Sequence, residues 1–533
     1  MPAEFPCPRS PAARARRAVL LLSAVLAFGA CALTRQPAGT IVPELALMIT
    51  DSPLLPLVGQ AATGRGEQSG FDLLDTGRDA LLARAAMVEA ARFSLDAQYY
   101  IWNSDDSGRY LASRLFAAAE RGVRVRILLD DINVGERAGL LAWLDQHPRI
   151  EVRIYNPFAQ RRGLLKLVNL AWEFARLNRR MHNKSMTVDG ALTVVGGRNI
   201  GDEYFDAHVH LNFRDRDVLA AGPVVAQTEA MFNTFWSSPL ARPVAEVAGV
   251  AAQVNTGAAL ARSEAAGARL AALHGALPDT PAAGYEVLGA RVAGMSWAPA
   301  RLVFDAPPAD GAFADTSEPQ RSVRALATVA RAATRELLIE SAYLVMDEAT
   351  LEGMRTLRER GVAVRALTNS LASNDVTANH AAYARRRGAM LAGGMEISEL
   401  RPDAASCARL VLNPAACGEQ HVFGLHAKTF VFDRHTVYVG SLNLNLRSRY
   451  LNAESGMVIE SPELAARIAR DIEENMAPAN SWWLVLEERG ALRWQERAAD
   501  GSVTAVLTHD PRTTWARRMA AGAIAALPLE KYL

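Results

Sequence analysis

The chain has 533 residues and a formal net charge of +1; half of its residues are hydrophobic and 22% are charged. That length implies two or more domains with ample core. The near-zero charge argues against a nucleic-acid substrate, whose phosphates reward a basic surface. The four cysteines, Cys7, Cys31, Cys407 and Cys417, include no C-x-x-C, which disfavours a zinc ribbon or a thioredoxin-type site.

Residues 1–31 read as an export signal. Arg9, Arg14, Arg16 and Arg17 form a basic region, and Ala18 to Ala30 is an apolar run of 13 residues, short of the about 20 needed to span a bilayer. Phe28-Gly29-Ala30-Cys31 resembles a bacterial lipoprotein cleavage site, which makes Cys31 the candidate for lipidation. An ordinary cleaved signal and an uncleaved anchor are the alternatives. Residues 32–70, with Pro, Gly and small polar residues and no periodicity, read as a tether.

A first domain is expected over 71–245. Leu81, Leu82, Ala85 and Val88 share one face of a helix at 75–91, and further helices are expected at 108–121, 163–178 and 222–236. Strands are expected at Phe93–Ile101, Val123–Leu129, Glu151–Tyr155, 184–188 and 191–195, with another beginning at Asp215 and Asp217. Residues 246–315, rich in Ala, Gly and Pro, read as a connecting segment. A second domain with a C-terminal arm is expected over 316–533. It repeats the order, with helices at 319–333 and 347–360 and strands at Glu336–Tyr343, Val362–Thr368, Met395–Leu400, 424–432 and 436–440. Alternating helices and strands imply an α/β sandwich in each half. Cys407 and Cys417 could be bridged in an exported protein or stand as two thiols.

The chemistry concentrates in M-H-N-K-S-M-T-V-D-G-A-L-T-V-V-G-G-R-N at 181–199, which holds His182, Lys184, Asp189 and Asn199. The pattern returns with His426, Lys428, Asp433 and Asn443, and 426 − 182, 428 − 184, 433 − 189 and 443 − 199 all equal 244. The same offset would set Asp96 on Glu340 and Tyr99 on Tyr343. A neutral imidazole is a nucleophile near neutral pH, and a second can give or take a proton. A lysine two residues away on a strand projects to the same face, where its cation can neutralise phosphate oxygens. The asparagine amides can donate to those oxygens or stabilise the turn after the glycines. A cation beside each histidine disfavours a metal, and no metal or cofactor is expected.

These residues resemble the phospholipase D superfamily, whose signature is this duplicated H-K-D motif. G-G-R-N-I-G-D-E-Y-F at 196–205, D-A-Q-Y-Y-I-W at 96–102, N-P-F at 156–158 and L-T-N-S-L-A-S-N-D-V at 367–376 look like the C-type bacterial cardiolipin synthases. The resemblance implies two tandem phospholipase D-like domains related by a pseudo-two-fold, with one shared active site. It implies a supporting role for Asp189 and Asp433, and an orienting role for Glu454, which would accept a histidine ring N–H. The matching offset in the first half falls on His210, so Asp202, Asp206 and Asp215 are the candidates there. Asn369, Ser370, Ser373, Asp375 and His380 are candidates for an acceptor pocket, or for a strand-end turn with a helix cap.

The expected reaction is transfer of a phosphatidyl group from phosphatidylethanolamine or phosphatidylglycerol to phosphatidylglycerol, giving cardiolipin through a phosphohistidine. The resemblance makes His182 the nucleophile and His426 the acid. Partners would be phospholipids and a membrane, not nucleic acid, with any accessory protein unidentified. The alternatives are a hydrolase of the same superfamily and a catalytically silent scaffold, which would have no use for both lysines.

Overall fold

In the computed structural model, which describes residues 50–159, 173–247, 255–311, 317–411, 414–417, 421–527 and 530–532, each half is built on one large mixed sheet. The expected export signal with Cys31, the first part of the tether and most of the 163–178 helix lie outside the described residues. At the centre of the first sheet, Ser185–Val188 runs antiparallel between Ser94–Tyr99 and Leu192–Gly196. Ser94–Tyr99 continues in parallel into Arg124–Asp130 and Ile150–Tyr155. The second sheet repeats this, with Lys428–Phe432 between Glu336–Ser341 and Thr436–Gly440, and Ala363–Asn369 and Glu396–Leu400 following in parallel. These strands are buried along most of their length, as sheets covered on both faces require.

The expected elements fall within two residues of the observed ones over most of both halves. The strand expected at 424–432 is split, because His426 and Ala427 leave the ladder between Val422–Leu425 and Lys428–Phe432. The constant offset also fails outside the motif. Leu95 pairs with Val188 and Leu337 with Phe432, so the flanking strands differ by 337 − 95 = 242 where the motif strands differ by 432 − 188 = 244. Gln98, not Asp96, therefore matches Glu340, and Asp96 is spent on an ion pair with Arg126.

Two stretches expected as connection are structured. The tether's described end holds the helix Leu54–Ala61, with Leu54 and Val58 buried, and Ser69–Leu74 is a strand of the first sheet. Residues 246–315 contain the helices Thr256–His274 and Pro281–Ala293, capped by Asn255 and Thr280. Their Ala and Gly serve close helix packing: a Cβ on Gly284 would stand 2.7 Å from the Ala86 carbonyl. The chain then gives Ser296–Ala298 to the first sheet and Ala300–Phe304 to the second.

The halves share a core. Phe71, Val195, Val218 and Val224 of the first pack with Val431, Val437, Met457 and Leu464 of the second. Ser481–Leu486, Leu492–Arg497 and Val503–Leu507 of the C-terminal arm extend the second sheet. Cys407 and Cys417 form a disulfide with their Cα atoms 5.7 Å apart.

Candidate active site

Two short parallel contacts between the halves build the site. Leu211–Arg214 pairs with Val422–Leu425, setting Arg214 opposite Leu425. The next residue on each side is then Asp215 and His426. A parallel bridge joins Met181 to Ala453, and the next residues there are His182 and Glu454. The backbone locks each histidine into the opposite half: His182 N–H donates to the Ala453 carbonyl and His426 N–H to the Arg214 carbonyl, both at 2.8 Å.

The side chains follow the same exchange. His182 Nδ1 lies 2.8 Å from Glu454 Oε2, and His426 Nδ1 lies 2.6 Å from Asp215 Oδ2. An ionised carboxylate only accepts, so each Nδ1 carries the hydrogen and each Nε2 keeps its lone pair. Glu454 is fixed by the Ser441 hydroxyl at 2.5 Å and the Ser448 hydroxyl at 2.6 Å. Asp215 accepts the Arg216 N–H at 2.8 Å. Of the three carboxylates considered for the first half, Asp202 holds Ser107 and Asp206 holds the Gly77 N–H, while Asp215 reaches a histidine, that of the second half.

The glycines of the motif make room for this. A Cβ on Gly197 would lie 2.2 Å from Asp215 Oδ1, and one on Gly440 would lie 2.4 Å from the Ser455 carbonyl. Arg214 and Arg216, on either side of Asp215, both bind Glu340 of the second half, at 2.8 and 2.7 Å, and both also bind Asp471. The R-D-R-D run at 214–217 alternates two cations with two acids, a signal that could have singled out this crossing from sequence.

Lys184 Nζ donates to the His182 carbonyl at 2.6 Å, and Lys428 Nζ donates to the His426 carbonyl. Burial holds His182 down to about 4 and His426 down to about 3, and both lysines lower each of them further against the pull of the carboxylates. Burial also holds Lys184 well below its ordinary value and Lys428 at about 8. The site is therefore buried, with two neutral imidazoles, each backed by a carboxylate, and two lysines whose ammonium groups can meet an oxyanion. Tyr100 stands edge-on to His182 at 4.8 Å, and Tyr204 stands edge-on to His426 at 5.1 Å.

The other candidates sit apart from the imidazoles. Asp189 accepts the N–H groups of Arg92, Phe93 and Ser94 and the Ser52 hydroxyl, and Asp433 accepts those of Thr334, Arg335 and Glu336. Asn199 Nδ2 is engaged by the Tyr204 hydroxyl at 2.9 Å, whereas the buried Oδ1 of Asn443 has no partner among the described residues. Asn369 and Ser373 are buried, and Asn369 grips the Leu425 backbone just before His426. Ser370 bonds to Ser373, and His380 pairs with Asp510 at 3.1 Å. Asp375 is exposed and accepts the Tyr343 hydroxyl at 3.0 Å.

A family model described as "Cardiolipin synthase, PLD-like domain" matches twice, over residues 85–236 and 326–476. The chain belongs to this family of phospholipase D-like proteins. It is 39% identical over 486 residues to cardiolipin synthase C of Escherichia coli K12, covering 90% of this chain and 98% of that one. Cardiolipin synthase A of Pseudomonas entomophila is 25% identical, over 76% of this chain and 68% of its own. Among solved structures, phosphatidylserine synthase from Haemophilus influenzae shares the fold at a TM-score of 0.53 and 13% identity, covering 90% of this chain and 100% of its own.

Proposed function

We propose that the protein is a phosphatidyltransferase of the phospholipase D type that makes cardiolipin. His182 Nε2 attacks the phosphorus of a donor phospholipid as the bond to the headgroup oxygen breaks. His426 Nε2, which takes up a proton from solvent as the donor's phosphodiester anion binds, gives that proton to the leaving oxygen, and the headgroup alcohol departs. The phosphatidyl group is then held on His182 as a phosphoramidate. The headgroup hydroxyl of phosphatidylglycerol passes its proton to His426 Nε2 while its oxygen attacks phosphorus, the N–P bond breaks, and cardiolipin is released. Glu454 and Asp215 fix the tautomers and steady each imidazole as positive charge develops. Lys184 and Lys428 neutralise the phosphate oxygens, and the Asn199 and Asn443 amide N–H groups are the candidates to donate to them. Asp189 and Asp433 hold the strands.

The observation that carries this reading is the pair of imidazoles, each backed at Nδ1 by a carboxylate from the other half. The donor is phosphatidylethanolamine or a second phosphatidylglycerol. Export, lipid attachment through Cys31 and residence at a membrane facing an oxidising compartment belong to the same reading. The Cys407–Cys417 disulfide supports it, because such bonds persist outside the reducing cytosol. The test is lipid analysis of membranes holding the protein, with labelled phosphatidylglycerol and phosphatidylethanolamine supplied separately and together. Cardiolipin is expected, with the label identifying the donor. Phosphatidic acid without cardiolipin would make the protein a hydrolase.

A further inference from the structure

The helix Trp515–Ala525 is amphipathic with its apolar side outward. Trp515 is 69% exposed and Met519 54%, and Leu527 just beyond it is 50% exposed. Ala516, Ala520 and Ala523 face solvent with them. Its two arginines turn back to the protein: Arg517 donates to the Asn374 carbonyl at 2.7 Å and Arg518 to the Thr513 carbonyl at 2.6 Å. Arg385, on the helix Thr377–Ala392 beneath, donates to the Ala525 carbonyl at 2.9 Å. The outward face is thus fixed by hydrogen bonds at both ends, and not by default.

The inner side of the helix reaches toward the site through Arg517 and Asn374. Asn374 precedes Asp375, which holds Tyr343, and Tyr343 neighbours the Tyr204 that stands against His426. Farther along, the Tyr532 carbonyl accepts from Arg447 at 2.9 Å and the Tyr532 ring packs on Phe174 at 5.0 Å. Of the ten large apolar side chains exposed among the described residues, Trp515, Met519 and Leu527 belong to this helix and its end, and Val376 lies two residues beyond the Asn374 that it contacts. Between Pro511 and Tyr532, Arg512, Arg517, Arg518 and Lys531 stand against Glu530, so 4 − 1 = +3, and the rest of a chain of net +1 carries −2.

We propose that this face is a docking surface for an anionic phospholipid bilayer. Trp515, Met519 and Leu527 enter the boundary between headgroups and acyl chains, and the net positive charge of the segment draws it to an anionic surface. Charge complementarity selects a lipid surface over a neutral protein partner. Docking here brings the site toward the layer that holds the substrate, so the inference rests on the proposed lipid reaction for its kinetic assay only.

Hydrogen exchange of the full chain tests it directly. Vesicles of phosphatidylglycerol and phosphatidylethanolamine should slow the amides of 516–527 about tenfold or more, phosphatidylcholine vesicles should not, and the helix Glu348–Glu359 should be unchanged. No slowing on anionic vesicles, or slowing without vesicles as protein concentration rises, overturns the proposal, the latter in favour of a second copy. In the kinetic assay, the double variant Trp515→Asp, Met519→Asp should lose about tenfold or more turnover on vesicle lipid and stay within about twofold on a monomeric short-chain phospholipid. Unchanged turnover on vesicles overturns the proposal. Loss on both lipids marks a folding defect and leaves the exchange result to decide. If the wild-type protein turns over neither lipid, the transferase reading fails and the exchange result still stands alone.

Discussion

His426 Nδ1 lies 2.6 Å from Asp215 Oδ2, although 211 residues separate them and they belong to different halves. His182 and Glu454 make the reciprocal contact. Neither half supplies both a motif histidine and its carboxylate, so the two domains must be docked for either imidazole to be oriented. Asp215→Asn and Glu454→Gln should each lower kcat by about 10²–10⁴-fold, as loss of the orienting acid does in other histidine-dependent enzymes, with little change in Tm. Steady-state turnover with thermal melts checks this; retention of more than about a third of kcat would contradict it.

The aspartates of the two motifs should behave differently from the histidines. Asp189→Ala leaves three backbone N–H groups without their acceptor, at about 1–3 kcal/mol for each that stays buried. Asp433 has equivalent partners, but Thr334 and Arg335 are exposed and water can replace it. Melting should show a clearly larger loss of Tm for Asp189→Ala than for Asp433→Ala. The folded fraction of each should keep kcat within about threefold, since neither carboxylate touches an imidazole.

Gly197→Ala is a test of crowding without any change of charge. The new Cβ would meet Asp215 Oδ1 at 2.2 Å and push the carboxylate off His426. Activity should fall about as far as in Asp215→Asn, while circular dichroism stays native. An active Gly197→Ala protein would show that Asp215 has freedom the packing denies it.

Oxyanion binding should be linked to proton uptake. With His426 held down to about 3 and His182 to about 4, both rings are neutral in the empty site near pH 7. A bound anion favours the charged form of each base, so protons enter as it binds, and affinity must rise as pH falls. Tungstate titrated between about pH 6 and about pH 7.5 should bind about tenfold tighter per unit of decrease. Over that range Lys428, near 8, stays charged. Above it, loss of the Lys428 charge should weaken binding further. His426→Asn should flatten the slope by one proton. A flat profile in the wild-type protein would contradict a neutral resting site.

The motif strands were legible because their chemistry is tied to residue identity and their period to the pleat. The lysine two residues after each histidine folds back to donate to that histidine's carbonyl. The crossing of the carboxylates was not legible, because it is a tertiary register. Glu454 follows Asn443 by eleven residues and Asp215 follows Asn199 by sixteen, so the shared offset that exposed the histidines hid their partners. The helices Thr256–His274 and Pro281–Ala293 were hidden for another reason. Their buried faces mix Ala259, Ser263, Ala266 and Gly284 with the larger Leu270, Leu288 and Val292, and the small residues look like linker composition until a facing helix is known. The first strand, Ser69–Leu74, was missed at its start because the Gly70 position reads as a turn, although it packs against Met295 and Trp297.

The central claim is that His182 carries the phosphatidyl group while His426 moves the proton. Acid quench is unsuitable, since phosphoramidates are acid-labile, so a single turnover with phosphorus-labelled donor lipid should be stopped in base and mapped by peptide. The account predicts label on the peptide containing His182, chased into cardiolipin when phosphatidylglycerol is added, and lost in His182→Ala. Label on the His426 peptide, or complete turnover by His182→Ala, would contradict it.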